Sequence, residues 1–134
     1  MMDPKNAPPA PVFLYLHGFA SSPASTKARA FATWAAGHGA PLEVLDLRVP
    51  SFEQLLLSAM QERVIAAIDA VGGPRARVAL IGSSLGGLTA CRVAAADPRV
   101  AAVFLMAPAF QIATHWGARI GSEAWRSWKE AGFI

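Results

Sequence analysis

The chain has one cysteine, Cys91, in 134 residues. It therefore has no internal disulfide partner and no thiol pair for a metal, which fits a reducing, cytoplasmic setting with no metal and no cofactor. Lying in an alanine-rich helical stretch, Cys91 reads as a small core residue. No charge-free run approaches the roughly eighteen residues a membrane span requires, so a soluble protein is expected. Charge is sparse at 16% of residues. The net +3 comes from scattered residues such as Lys27, Arg48, Arg77 and Arg99, with no basic run and no interleaved aromatics. Nucleic acid is accordingly not an expected partner. Repeats are absent, and the only biased stretch is the proline-rich start. Residues 1–11 lack both the apolar run and the cleavage site of a secretory signal and read as a flexible lead-in.

What the chain has in quantity is apolar residues, at 54%, enough for one domain with a sizeable core. They fall in two alternating patterns. Short uninterrupted runs, Val12 to Leu16, Leu42 to Leu47, Ala76 to Gly82 and Val100 to Ala107, read as strands buried on both faces. Between them lie helical patterns. The first starts at Ser22-Pro23 and carries Ala28, Phe31, Ala32 and Ala35 up to Gly37. The second starts from a capping box of Ser51 and Gln54 and carries Phe52, Leu55, Leu56, Met60, Val64, Ile65, Ile68 and Val71 up to Gly72-Gly73-Pro74. The third runs from Ser84 to Ala96. The order β-α-β-α-β-α-β predicts an α/β fold with a parallel sheet and helices on both faces. Ligands gather at the carboxyl ends of such strands, where His17, Gly18, Asp46, Ser84 and Pro108 all fall.

Gly82-x-Ser84-x-Gly86 matches G-x-S-x-G, the turn that presents a nucleophilic serine between a strand and a helix. Five residues alone are weak evidence, and the context strengthens them. A buried strand precedes and a helix follows, and glycines stand where strand and helix must approach. Only Ser84 fits, because the same register on Ser83 would need glycine at Ile81 and Leu85. An acyl carbon attacked by serine develops an oxyanion, which backbone N–H groups stabilise. Leu85, at the start of the helix, supplies one donor. The loop His17-Gly18-Phe19 supplies the second, from Phe19, with His17, Gly18 and Asp46 on the pocket rim. "GSSLGG" fits neither the dinucleotide fingerprint nor the P-loop, which disfavours a nucleotide site.

The stretch "FLYLHGFASSPASTKARAF", with "ALIGSSLGG" and "FLMAPAF", resembles the small bacterial α/β-hydrolase esterases of the YqiA type, over nearly the whole chain from Val12. The resemblance implies a partial hydrolase core over residues 12–110 and the start of a lid-like helical tail over 111–134. It also implies hydrolysis of carboxylic esters or thioesters of small molecules by Ser84, with the Phe19 and Leu85 amides as oxyanion donors.

A serine hydroxyl needs a base, and the base a carboxylate. In the resembling family both follow later strands, and this chain ends before them, so it reads as truncated. His115 in the tail and His17 in the oxyanion loop are the two candidates for a substitute base. His38, between two glycines, reads as a solvated turn residue. Asp46 reads as a rim or loop-capping group, and Asp69 and Asp97 as solvated helix positions. Three readings stay open: a working serine hydrolase with a base from His115, His17 or another chain; a pseudo-enzyme or interaction module; and a fragment with little function of its own.

The last expected strand, residues 100–107, would be an open sheet edge. Trp116, Trp125, Trp128 and Phe133 add apolar area beside it. A homodimer contact through that edge or the tryptophan-rich tail is the resulting expectation. Light scattering at high concentration should give a mass above 14.1 kDa, and a strictly monomeric mass would rule the contact out.

Overall fold

The structure, a computed structural model, describes residues 3–6, 8 and 10–131. Phe133 and the side chains of Trp116 and Trp128 lie outside the described residues. Four parallel strands, β1 (Val12–Leu16), β2 (Leu42–Leu45), β3 (Val78–Ser83) and β4 (Val100–Met106), form one sheet in the order β2-β1-β3-β4. The helices are α1 (Thr26–Gly37), α2 (Leu57–Gly72), α3 (Leu85–Ala96), α4 (Ile112–Ile120) and α5 (Ser122–Ala131). None is long and apolar enough to cross a membrane.

Because side chains alternate across a strand, each strand supplies two faces. Leu14, Leu16, Leu45, Val78 and Leu80 join Met60, Val64 and Ile68 of α2 and Ala90 and Val93 of α3 in the larger core. On the other face, Tyr15 and Ile81 pack with Ala28 of α1, flanked by Phe13 and Phe31. Thus α1 covers one face and α2 with α3 the other, the parallel α/β arrangement expected from the apolar runs. β4 is an edge strand, and its Val103 and Phe104 are 41% and 58% exposed.

Several element ends differ from expectation, the two helix starts because a serine side chain forms a local turn instead of a cap. Ser22 Oγ accepts from Ala24 N–H at 3.2 Å, and its carbonyl accepts from Ser25 N–H. The cap of α1 is therefore Ser25, whose side chain accepts from Ala28 N–H. Likewise Ser51 Oγ accepts from Gln54 N–H at 3.2 Å but closes a turn, and α2 begins six residues later at Leu57. Phe52 thereby leaves the helix and its ring packs against Phe19, 5.6 Å between centroids. β2 ends at Leu45, although Leu47 beyond it is still fully buried.

Two core readings also change. Cys91 is half-buried rather than a core residue. Asp97 is not solvated: its side chain is 11% exposed and both its oxygens accept from Arg99. Arg99 also donates to Asp69 Oδ1 at 2.6 Å and to the Gly73 carbonyl, so one guanidinium ties the ends of α2 and α3 to the start of β4. The Arg99 hydrogen bonds hold the Asp97 carboxyl below its ordinary value.

The tightest junction lies where β3 turns into α3. A Cβ at Gly82 would stand 2.6 Å from the Gly86 carbonyl oxygen and the Gly87 Cα, and one at Gly86 would overlap the Leu16 and His17 carbonyls. All these neighbours are backbone, which cannot rotate aside. Gly86→Ala should therefore destabilise the protein by about 3 kcal/mol or more. Urea unfolding followed by circular dichroism would measure it, and a loss under about 1 kcal/mol would mean the junction opens freely.

Candidate active site

The junction explains how Ser84 is presented. It sits between β3 and α3 at φ 53°, ψ −114°, a conformation strained for a residue with a Cβ. Hydrogen bonds hold it there from both sides. Its N–H donates to the Met106 carbonyl at 3.0 Å, while its carbonyl accepts from Gly87, Leu88 and Ala109 N–H. The end of β4 and the loop after it thus lock the turn. Ser84 itself is only half-buried, so its side chain is reachable.

Leu85 N–H opens α3, where no residue of the same helix can accept from it. The loop after β1 lies directly against the serine: a Cβ on Gly18 would come within 3.1 Å of Ser84 Cβ and of the Ser83 carbonyl oxygen. Phe19 follows at once. The expected nucleophile and both oxyanion loops are therefore adjacent, brought together by parallel strands β1 and β3, which pair from Val12↔Val78 to Leu16↔Gly82.

The two polar residues expected at the rim, His17 and Asp46, are both engaged by neighbours other than Ser84. His17 is 3% exposed, and both ring nitrogens are occupied. Nε2 accepts from Leu47 N–H at 2.9 Å, so the proton is on Nδ1, which donates to the Gly18 carbonyl at 2.9 Å. Asp46 Oδ1 lies 3.6 Å from Nε2, but a nitrogen already accepting a hydrogen bond has no proton for that carboxylate, and no ion pair forms. His17 is thus a strut joining the loops after β1 and β2, and in this arrangement it has no nitrogen to offer Ser84. Asp46 is gripped by Arg48, Nε to Oδ1 at 2.8 Å and Nη2 to Oδ2 at 2.6 Å. Those bonds, foremost, hold its carboxyl far below the usual aspartate range. His115 is exposed on α4. Among the described residues no hydrogen bond joins Ser84 Oγ to a histidine.

Two cavities flank the serine turn. One, of about 340 Å³, is lined by Ser84, Gly18, Phe19, Tyr15, Ser83 and Lys27, among others. The second, of about 260 Å³, is apolar and lies between Leu55, Leu57 and Met60 on one side and Ile112 and Trp125 on the other, with Leu85 in its wall. Sequence reasoning missed the first cavity, having set Ser83 aside in favour of Ser84 and read Lys27 as scattered charge. Strand alternation was the available signal: Ser83 shares the Ile81 face, toward α1, whose second residue is Lys27. The Tyr15 hydroxyl is buried there, which raises its pKa, while hydrogen bonds with Ser25 and Ser83 partly offset the rise.

The strut makes a measurable claim. His17→Ala would leave the buried Leu47 N–H without its acceptor, a loss of about 1–3 kcal/mol. Chemical unfolding should show it, and a neutral effect would mean the two loops are held by other contacts.

With this geometry in view, comparison with known proteins gives a consistent picture. No curated protein matches the chain. A crystal structure from Agrobacterium vitis S4, titled "Putative hydrolase", is similar at 24% identity with a TM-score of 0.73. The match covers 92% of this chain and 52% of the other, so this chain spans about half the length of that protein. At that identity the likeness establishes the shared α/β fold. A family model, the uncharacterised protein family UPF0227, matches residues 12–134, from the first residue of β1 onward. On that match, the chain belongs to the UPF0227 family.

Proposed function

We propose that the chain is a serine hydrolase of carboxylic esters or thioesters, with Ser84 as nucleophile and the Phe19 and Leu85 N–H groups as oxyanion donors. The observation that carries this reading is the Ser84 backbone, strained at positive φ and pinned by four hydrogen bonds while its side chain stays reachable. Strain of this kind persists only where the surroundings over-determine it, and it collects at functional sites. Membership of the family and the fold shared with the Agrobacterium vitis protein are consistent with hydrolase chemistry.

In the proposed step Ser84 Oγ attacks the acyl carbon, and the carbonyl electron pair moves to an oxyanion facing the two amides. Collapse breaks the bond to the alcohol or thiol, which leaves with the proton taken from serine. Water then attacks the acyl-serine by the same route, releasing the acid and restoring the hydroxyl. Each transfer needs a base. Since both His17 nitrogens are engaged, the candidate within this chain is His115, on a helix that follows directly from the loop bonded to Ser84.

The absence of a histidine hydrogen bond on Ser84 among the described residues favours one second reading, a chain that retains the site but is catalytically impaired, acting as a pseudo-enzyme or interaction module. Removing a general base costs about 100-fold to 10,000-fold in rate, which makes the two readings separable. A fluorophosphonate probe should label the protein and not Ser84→Ala, and His115→Ala should slow labelling at least tenfold. No labelling of the parent would establish the impaired reading. Equal labelling of Ser84→Ala would mean the nucleophile is another residue.

A further inference from the structure

The cavity beside Ser84 contains a cation with no carboxylate partner among the described residues. Lys27 Nζ is 3.4 Å from Ser83 Oγ, a neutral hydroxyl, and the cavity lining includes no carboxylate. Ion pairs elsewhere occupy Arg48, Arg63 and Arg99, but among the described residues none involves Lys27. The contrast with Arg48 is informative. It borders the neighbouring cavity with Ser21 and Ser22, and its charge is taken up by Asp46. Lys27 is thus the cation in the cavity that Ser84 lines, and among the described residues no carboxylate pairs with it, whereas Lys129, at the second cavity, stands over the Trp125 ring.

Ser83 and Ser84 are consecutive, with Cα atoms about 3.8 Å apart. An ammonium bonded to the first therefore stands within a short acyl chain of the second, in the same cavity. The Tyr15 hydroxyl, also in its lining, hydrogen-bonds with Ser25 and with Ser83. Such a wall of hydroxyls around one cation suits an anionic oxygen group better than an alkyl chain, for which the apolar cavity beyond Leu85 is available.

From this we infer that Lys27 is a specificity residue, selecting esters or thioesters that carry a second anionic group, carboxylate or phosphate, a short distance from the scissile carbonyl. The inference rests on Ser84 being the nucleophile proposed above. Lys27 is exposed, so its preference is modest and sensitive to salt.

Binding of inert ketones tests this without requiring turnover. Nitrogen-15-labelled protein is titrated with levulinate, with 2-oxopropylphosphonate and with neutral hexan-2-one, following the amides of Gly18, Ser83 and Ser84 by NMR. At least one anion should bind roughly threefold to tenfold more tightly than hexan-2-one at low salt. The tighter of the two anions assigns carboxylate or phosphate. The preference should disappear in Lys27→Gln, return in Lys27→Arg, persist in Arg29→Gln as a control for overall charge, and shrink at high salt. Equal affinities, a preference that survives Lys27→Gln, or no shift at those amides with any ligand would overturn the inference. Labelling of Ser84 by the fluorophosphonate in that event would leave the hydrolase reading intact. An anion preference without labelling would instead overturn the serine chemistry and keep the anion site.

Discussion

Everything at the candidate site depends on how closely α3 can approach the ends of β1 and β3. The helix starts so near the sheet that Gly82 and Gly86 face backbone atoms across gaps no side chain can enter. That proximity forces Ser84 into positive φ, because the chain must reverse from strand to helix within one residue. It also brings the β1 loop against the serine, where Gly18 leaves room for the Ser84 Cβ. A helix set back by one side-chain diameter would relax the serine and separate the two loops. Close packing and the geometry of the candidate site therefore share one cause.

The parallel sheet converts this local contact into a site. Its carboxyl ends collect residues distant in sequence: His17 and Gly18 after β1, Asp46 and Leu47 after β2, Ser84 after β3 and Ala109 after β4. Backbone hydrogen bonds then stitch neighbours together, with Leu47 N–H on His17 and Ala109 N–H on Ser84. The polar groups at this rim mostly satisfy one another. His17 holds a loop and Asp46 holds Arg48, and Lys27 stands apart because its partner is uncharged.

Much of the fold was legible because the apolar runs differ so plainly in period. The runs at Val12 to Leu16 and Val100 to Ala107 are continuous, and their strands match within a residue. Helix beginnings were misplaced for a specific reason. Ser22 and Ser51 are good caps by type, but both accept hydrogen bonds within a turn of their own. A serine that closes a turn and one that caps a helix look alike in one dimension. Asp97 was misread similarly, since its burial comes from Arg99, which also reaches across to Asp69 on another helix.

By itself the sequence determined the four strands, the parallel arrangement and the place of Ser84, because periodicity and glycine spacing are local properties of the chain. It also singled out the loop Gly18-Phe19, through its position after a buried strand. Only the tertiary structure decided which polar groups meet. His17 became a strut when Leu47 N–H arrived from the loop after β2, Asp46 was claimed by Arg48, and Ser83 turned out to face a lysine fifty-six positions away. Those outcomes depend on distances of a few ångströms between elements remote in sequence, which hydrophobic pattern does not encode.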